Sequence, residues 1–402
     1  MNLLAQHGAM AGDRITRGLA DGLIDGVIYG AKDIAPVRLA EKCREHAQNH
    51  SESMRLFDPQ YYACILAAEP GVRLGSLEGE NAHPYFAARR RRDLEQESRV
   101  AADLEACLAY QQGLPVSAFI APNIVVRRSL DSVEATIAKD FLRNAANAHA
   151  RLNDNRPLYA TLAVSTDALR DRIELQNFLQ EITELEQPPR GFYLLIEHPD
   201  NDIPPTLEEP DVLSRWMLIN RVLTLSGFEV INGYADVLSP YLGAAGATTV
   251  SSGWFNTLKV FSLKKFAPST GMARHPIPRY TSARLLKSIR HTELEALRVL
   301  FPAVLNGSGT DGFYNEDEGS RPSSIGEALQ NWECLRVLSQ LVTAGDPEIS
   351  LAAIEQAIAQ SERTYGEIGA SGITLRERSN NDHLPYLREE LEAFRNLAEL
   401  QS

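Results

Sequence analysis

Leu158-Tyr159-Ala160-Thr161-Leu162-Ala163-Val164, then a helix-period segment from Asp167 to Glu186, then Phe192-Tyr193-Leu194-Leu195-Ile196 make one strand–helix–strand unit. Both apolar runs lack alternation, which is how a strand covered on both faces reads. Thr166 and Asp167 ahead of Ala168-Leu169 supply the short polar side chains that cap a helix start. Two parallel strands need a crossover of about a dozen residues, and the intervening helix provides one. Such units wind right-handed and build a parallel sheet with helices outside it.

The same alternation extends both ways along the chain. Further strand-like runs are Gly26–Tyr29, Met54–Phe57, Val116–Ile120, Phe228–Ile231, Thr248–Val250 and Leu258–Phe261. Helical periodicity fills 37–50, 93–112, 131–152 and 212–226, with Pro36 at one start and Gly227 after one end. Eight runs within 26–266 predict an α/β, TIM-like (β/α)8 barrel, matching the roughly 250 residues that such barrels use. One irregularity stands out: no crossover helix fits between Val250 and Leu258. An open doubly wound sheet is the alternative. Beyond Phe266 the strand signal stops. Pro268, Pro276 and Pro278 mark a connector, followed by helical patterns at 282–301, 324–343, 347–361 and 384–400. The reading is therefore a barrel over residues 1–266 and a connector with a helical C-terminal extension over 267–402. The Gly-, Asp- and Ser-rich stretch 306–321 reads as a mobile surface loop.

Composition narrows the function class. Charged residues number 53 acidic against 40 basic, a formal net charge of -13. Such a surface repels a phosphate backbone, which disfavours broad nucleic-acid binding. No basic segment followed by an apolar run opens the chain, and no stretch nears the ~18 apolar residues of a membrane span. Cys43, Cys64, Cys107 and Cys334 are far apart and lack zinc spacing, so buried free thiols in a reducing cytoplasm are expected. Phosphate-binding glycine loops, a nucleophile elbow and histidine metal motifs are missing from the sequence.

In parallel α/β folds the ligand sits beyond the carboxyl ends of the strands, so the polar residues there are the candidates. Asp33, Asp58, Glu197 and Asp236 each follow a strand run and can act as acid–base or nucleophilic carboxylates. Each can equally cap a helix or pair with a nearby cation. Lys32, Asn123, His198 and Tyr234 lie beside them as binding residues. Ser252-Gly253 reads as a turn presenting amides to an anion, with Lys259 and Arg279 completing the cradle, Asn256 beside it and Trp254 flooring a pocket. No cofactor is implied. A divalent metal would have only the four carboxylates as ligands, a set suited to magnesium. These features point to a barrel enzyme of hydrolase or glycosyl-transferase type, acting on a small polar or anionic substrate of phosphate, sugar or nucleoside character. A non-catalytic scaffold that binds a protein partner or a second copy is the alternative. A third reading, glycosyl or base exchange on nucleic acid, conflicts with the charge.

Overall fold

The computed structural model describes residues 1–199, 210–268, 277–314 and 322–400. Nine strands form one parallel sheet: β1 Asn2–Gln6, β2 Gly26–Gly30, β3 Met54–Asp58, β4 Phe119–Ala121, β5 Val125–Val126, β6 Leu158–Ser165, β7 Gly191–Glu197, β8 Glu229–Asn232 and β9 Thr249–Ser252. Their order is β3-β2-β1-β9-β8-β7-β6-β4, with β5 also on β6. Strands β4 and β5 are two pieces of one strand, broken where Pro122 cannot donate to the ladder. Asn123 repairs the break. Its amide donates to Thr161 O at 2.8 Å and Ala138 O at 3.2 Å, and its Oδ1 accepts from Ile124 N. The ends of the sheet meet at β3 and the lead-in to β4, where Ser117 N donates to Arg55 O at 2.8 Å and Arg55 N donates to Ser117 Oγ at 2.6 Å. The result is a nearly closed barrel of eight parallel strands with helices around it.

Two expectations are corrected. Leu258–Phe261 is not a barrel strand. Asn256–Leu258 is a 3-10 turn, and the chain beyond it crosses the mouth. The eighth staves place is taken by β1, inserted between β9 and β2. That removes the missing crossover, because β1 reaches β9 by closing the ring and needs no short connection. The reading 282–301 as one helix also fails. Arg279–Ser282 (β10) and Lys287–Arg290 (β11) form an antiparallel hairpin, and the helix runs only from His291 to Leu300.

The later helices cover the barrel. Ser324–Ser339 lies against β1 and the helices Arg14–Ala20 and Ser239–Ala244. Its Trp332 indole donates to Ser252 O at 2.9 Å, and Arg336 pairs with Asp25 at 2.7 Å. His383–Leu397 packs on Val212–Leu225. There the buried Glu390 carboxylate accepts from Asp211 N at 2.5 Å and Ser214 N at 2.7 Å, satisfying two orphan amides at a helix start. The loop at 306–321 is tied down over its first part. Tyr314 is buried with its hydroxyl on Arg279 O, and Asp311 accepts from Tyr280. Residues 315–321 lie outside the described residues.

Candidate functional site at the barrel mouth

Strand direction puts β1, β2, β3, β5, β6, β7, β8 and β9 with their carboxyl ends on one side, so the groups that follow them share one mouth. At its centre lies Asp58, 1 % exposed. Its Oδ1 accepts from Gln60 N at 2.9 Å, and its Oδ2 from the hydroxyls of Tyr62 at 3.0 Å and Tyr193 at 3.3 Å. Tyr193 reaches it across the lumen from β7. Burial raises the Asp58 carboxyl above its ordinary range, outweighing the Lys265 charge and the three hydrogen bonds that favour the anion.

Over Asp58 sits a cover that the sequence did not reveal. Lys265, on the 3-10 turn Leu263–Phe266, donates to Tyr62 Oη at 3.3 Å and Tyr234 Oη at 2.9 Å. Its ammonium lies 5.4, 5.0, 5.3 and 5.2 Å from the rings of Tyr62, Tyr234, Phe261 and Phe266. Phe261 and Phe266 meet Tyr62 edge-on at 5.0 and 6.2 Å. Desolvation pulls the Lys265 amine down to about 8, with Asp58 and Asp33 opposing the shift. Tyr234 and Gln60, whose side chains converge here, both hold left-handed backbone at φ 58 and 49. For non-glycine residues that conformation is strained, and such strain gathers at functional sites.

Beside this cover an open cleft of about 320 Å³ lies over the ends of β5, β6 and β7, lined by Glu197, Arg127, Ser165, Thr166 and Lys264 among others. That volume is at the small end of ligand pockets. Glu197 is 6 % exposed, and burial raises its carboxyl despite Arg127, the Leu263 amide and Lys264. His198 is not among the residues that line the cleft. Its amide donates to Phe261 O at 2.9 Å, and burial holds its imidazole down at about 4, hence neutral.

The other candidates are separated from this cleft. Lys32 pairs with Asp33 at 3.6 Å, and Asp33 lines a different cavity between the β1 and β2 ends. Asp236, at φ 40, is enclosed: its Oδ1 accepts from Ser252 Oγ at 2.6 Å and Asn331 Nδ2 at 3.2 Å and pairs with Lys259 at 3.6 Å. Lys259 also donates to Asn331 Oδ1 at 2.7 Å. Arg279 donates to Ser288 O and Arg378 O through one terminal nitrogen, its Nε is buried without a partner, and its amide donates to Glu327. Gly253 N is taken by Leu258 O at 3.0 Å, and a Cβ there would meet Leu258 Cβ at 2.4 Å. Trp254, Asn256, Lys259 and Arg279 do meet, with Asp236, around a gap of about 30 Å³, where Lys259 is already engaged by Asp236 and Asn331. Trp254 donates to Ala9 O at 3.0 Å and packs under Arg14. Asn123 stitches the broken strand. Among the described residues no three His, Cys, Asp or Glu side chains assemble as metal ligands. No described helix is long and apolar enough to cross a membrane.

Neither a family model nor a curated protein matches this sequence. Among solved structures, the chain is similar to a glycoside hydrolase family 3 β-N-acetylglucosaminidase from Paenibacillus sp. str. FPU-7, at 13 % identity and a TM-score of 0.43, over 99 % of this chain and 67 % of that one.

Proposed function

We propose that this chain is a barrel enzyme that acts on a small polar, anionic substrate of phosphate, sugar or nucleoside character, with the Glu197 cleft as its site. The observation that carries the reading is Glu197 itself. Of the four strand-end carboxylates, it alone combines a carboxyl raised by burial with an open, ligand-sized cleft. A carboxyl whose neutral form burial favours can serve as a general acid for an oxygen leaving group, the first half of a hydrolase or glycosyl-transferase step. Arg127 and Lys264 stand on the cleft wall with Glu69 and Asp167, and are the cations that would meet an anionic group of the substrate. Asp58 is the second carboxylate of the mouth, buried beneath the Lys265 cover.

The test is a panel of sugar phosphates, nucleosides and inorganic phosphate screened by thermal shift. A ligand at about 100 times its dissociation constant stabilises by ~2.7 kcal/mol. Saturable stabilisation that is lost in Arg127→Ala supports the site. Turnover of that ligand that is lost in Glu197→Gln, with binding retained, supports the role. Stabilisation by no member of the panel would sink both. The aromatic cover over Asp58 favours one second reading, a barrel with no catalytic task. Under it, Glu197→Gln changes stability and nothing else.

A further inference from the structure

A second cavity, of about 310 Å³, opens between the loop after β1 and the helix Pro36–Asn49, and shares no lining residue with the Glu197 cleft. Three independent features mark it. The first is an orphan: His7 is 6 % exposed, and its Nδ1 is buried with no hydrogen-bond partner. A buried polar atom left unpaired costs about 1–3 kcal/mol, so its persistence at a cavity wall is informative. The second is an aromatic wall. The His7 and Tyr29 rings lie 5.6 Å apart and tilted by 51°, and Tyr29 stacks on His46 at 6.0 Å, with its hydroxyl 2.5 Å from His46 Nδ1. Third, Met10 hangs at the opening, 73 % exposed and in left-handed backbone at φ 56. An unbranched thioether held out in a strained turn is an adaptable cover for a ring.

Charge completes the pattern. Arg38 and Lys42 stand one helical turn apart on the rim, each paired with an i,i+3 glutamate on the surface at 2.8 and 2.7 Å. Surface pairs of that kind are worth little and yield readily to a better anion. Asp33 faces the same space. Burial keeps both imidazoles uncharged, His7 and His46 each at about 4, so they offer hydrogen bonds and ring faces.

We propose that this cavity is a second ligand site, taking a planar heterocycle that bears an anionic group, the chemistry of a nucleoside monophosphate. The ring packs against the aromatic wall beneath Met10, the orphan His7 Nδ1 pairs with a ring edge, the anion displaces Glu41 and Glu45 from Arg38 and Lys42, and Asp33 accepts from a sugar hydroxyl. The test is calorimetric titration of the full chain with adenosine 5′-monophosphate, adenosine alone and inorganic phosphate alone. The monophosphate is expected to bind saturably and at least about tenfold more tightly than either fragment. His7→Ala weakens it about tenfold. The rim pair Arg38→Ala, Lys42→Ala, which removes no buried group, reduces it to the affinity of adenosine. Glu197→Gln leaves it unchanged. Absence of saturable binding, binding equal in the rim variant, or binding lost in Glu197→Gln would each overturn the proposal.

Discussion

Lys265 and Asp58 are joined through a single hydroxyl: Tyr62 accepts from the amine and donates to the carboxylate. Tyr62→Phe leaves both ends short of a partner, and is expected to cost about 1–3 kcal/mol in urea unfolding. Asp58→Asn in that background should recover part of the loss, because it removes the charge that needed the bond. The lysine also carries a pH signature. Its amine titrates near 8 when folded, against 10.5 in the unfolded chain. Between those values the unfolded chain keeps a proton that the folded protein has released, so stability from this group rises with pH across that window. Lys265→Met should flatten the rise in denaturation curves taken on either side of it, and an unchanged slope would count against the assignment. None of this was legible in Lys264-Lys265-Phe266 read alone, since the partners come from within β7 and from the ends of β3 and β8. The four carboxylates were legible as strand-end residues, but their environments, which separate Glu197 from Asp236, were not.

Secondary-structure elements explain where the sequence reading succeeded. Runs such as Leu158–Val164 and Phe192–Ile196 are long enough to carry their own signal, and β6 and β7 contain them. Asn2–Gln6 contributes only Leu3, Leu4 and Ala5 as an apolar run, and becomes a strand because β9 and β2 leave an open edge on each side of it. Deleting residues 1–6 should therefore open the barrel and abolish a cooperative melt by near-ultraviolet circular dichroism. Leu258–Phe261 has the composition of a strand without an edge to join, and its apolar side chains serve instead to cover the mouth. Glycine marks the opposite end of two strands. A Cβ at Gly191 would lie 2.1 Å from Glu229 O, and one at Gly26 would lie 2.0 Å from Met54 O. Either backbone contact must shift for alanine to fit, so Gly191→Ala should destabilise by about 1–3 kcal/mol, read from the denaturation midpoint.

At the scale of the whole molecule, barrel and C-terminal helices share buried polar contacts. Asn331 and Trp332 of the helix Ser324–Ser339 bond to Asp236 and to Ser252 O at the end of β9. Truncation before Ser282 strips that helix from β1, and should yield an insoluble or molten product that binds a hydrophobic dye. A truncated barrel that melts at the parent temperature would make the extension an independent module. The sequence by itself determined the fold class, through apolar runs whose period and length record burial on both faces, and it located the carboxyl ends of most of the strands. Tertiary structure alone decided which strand closes the ring, which carboxylates line a cavity and which are enclosed. Those outcomes depend on contacts between residues far apart in the chain, such as Gln6 with Ser251 and Tyr62 with Lys265, and no local periodicity encodes them.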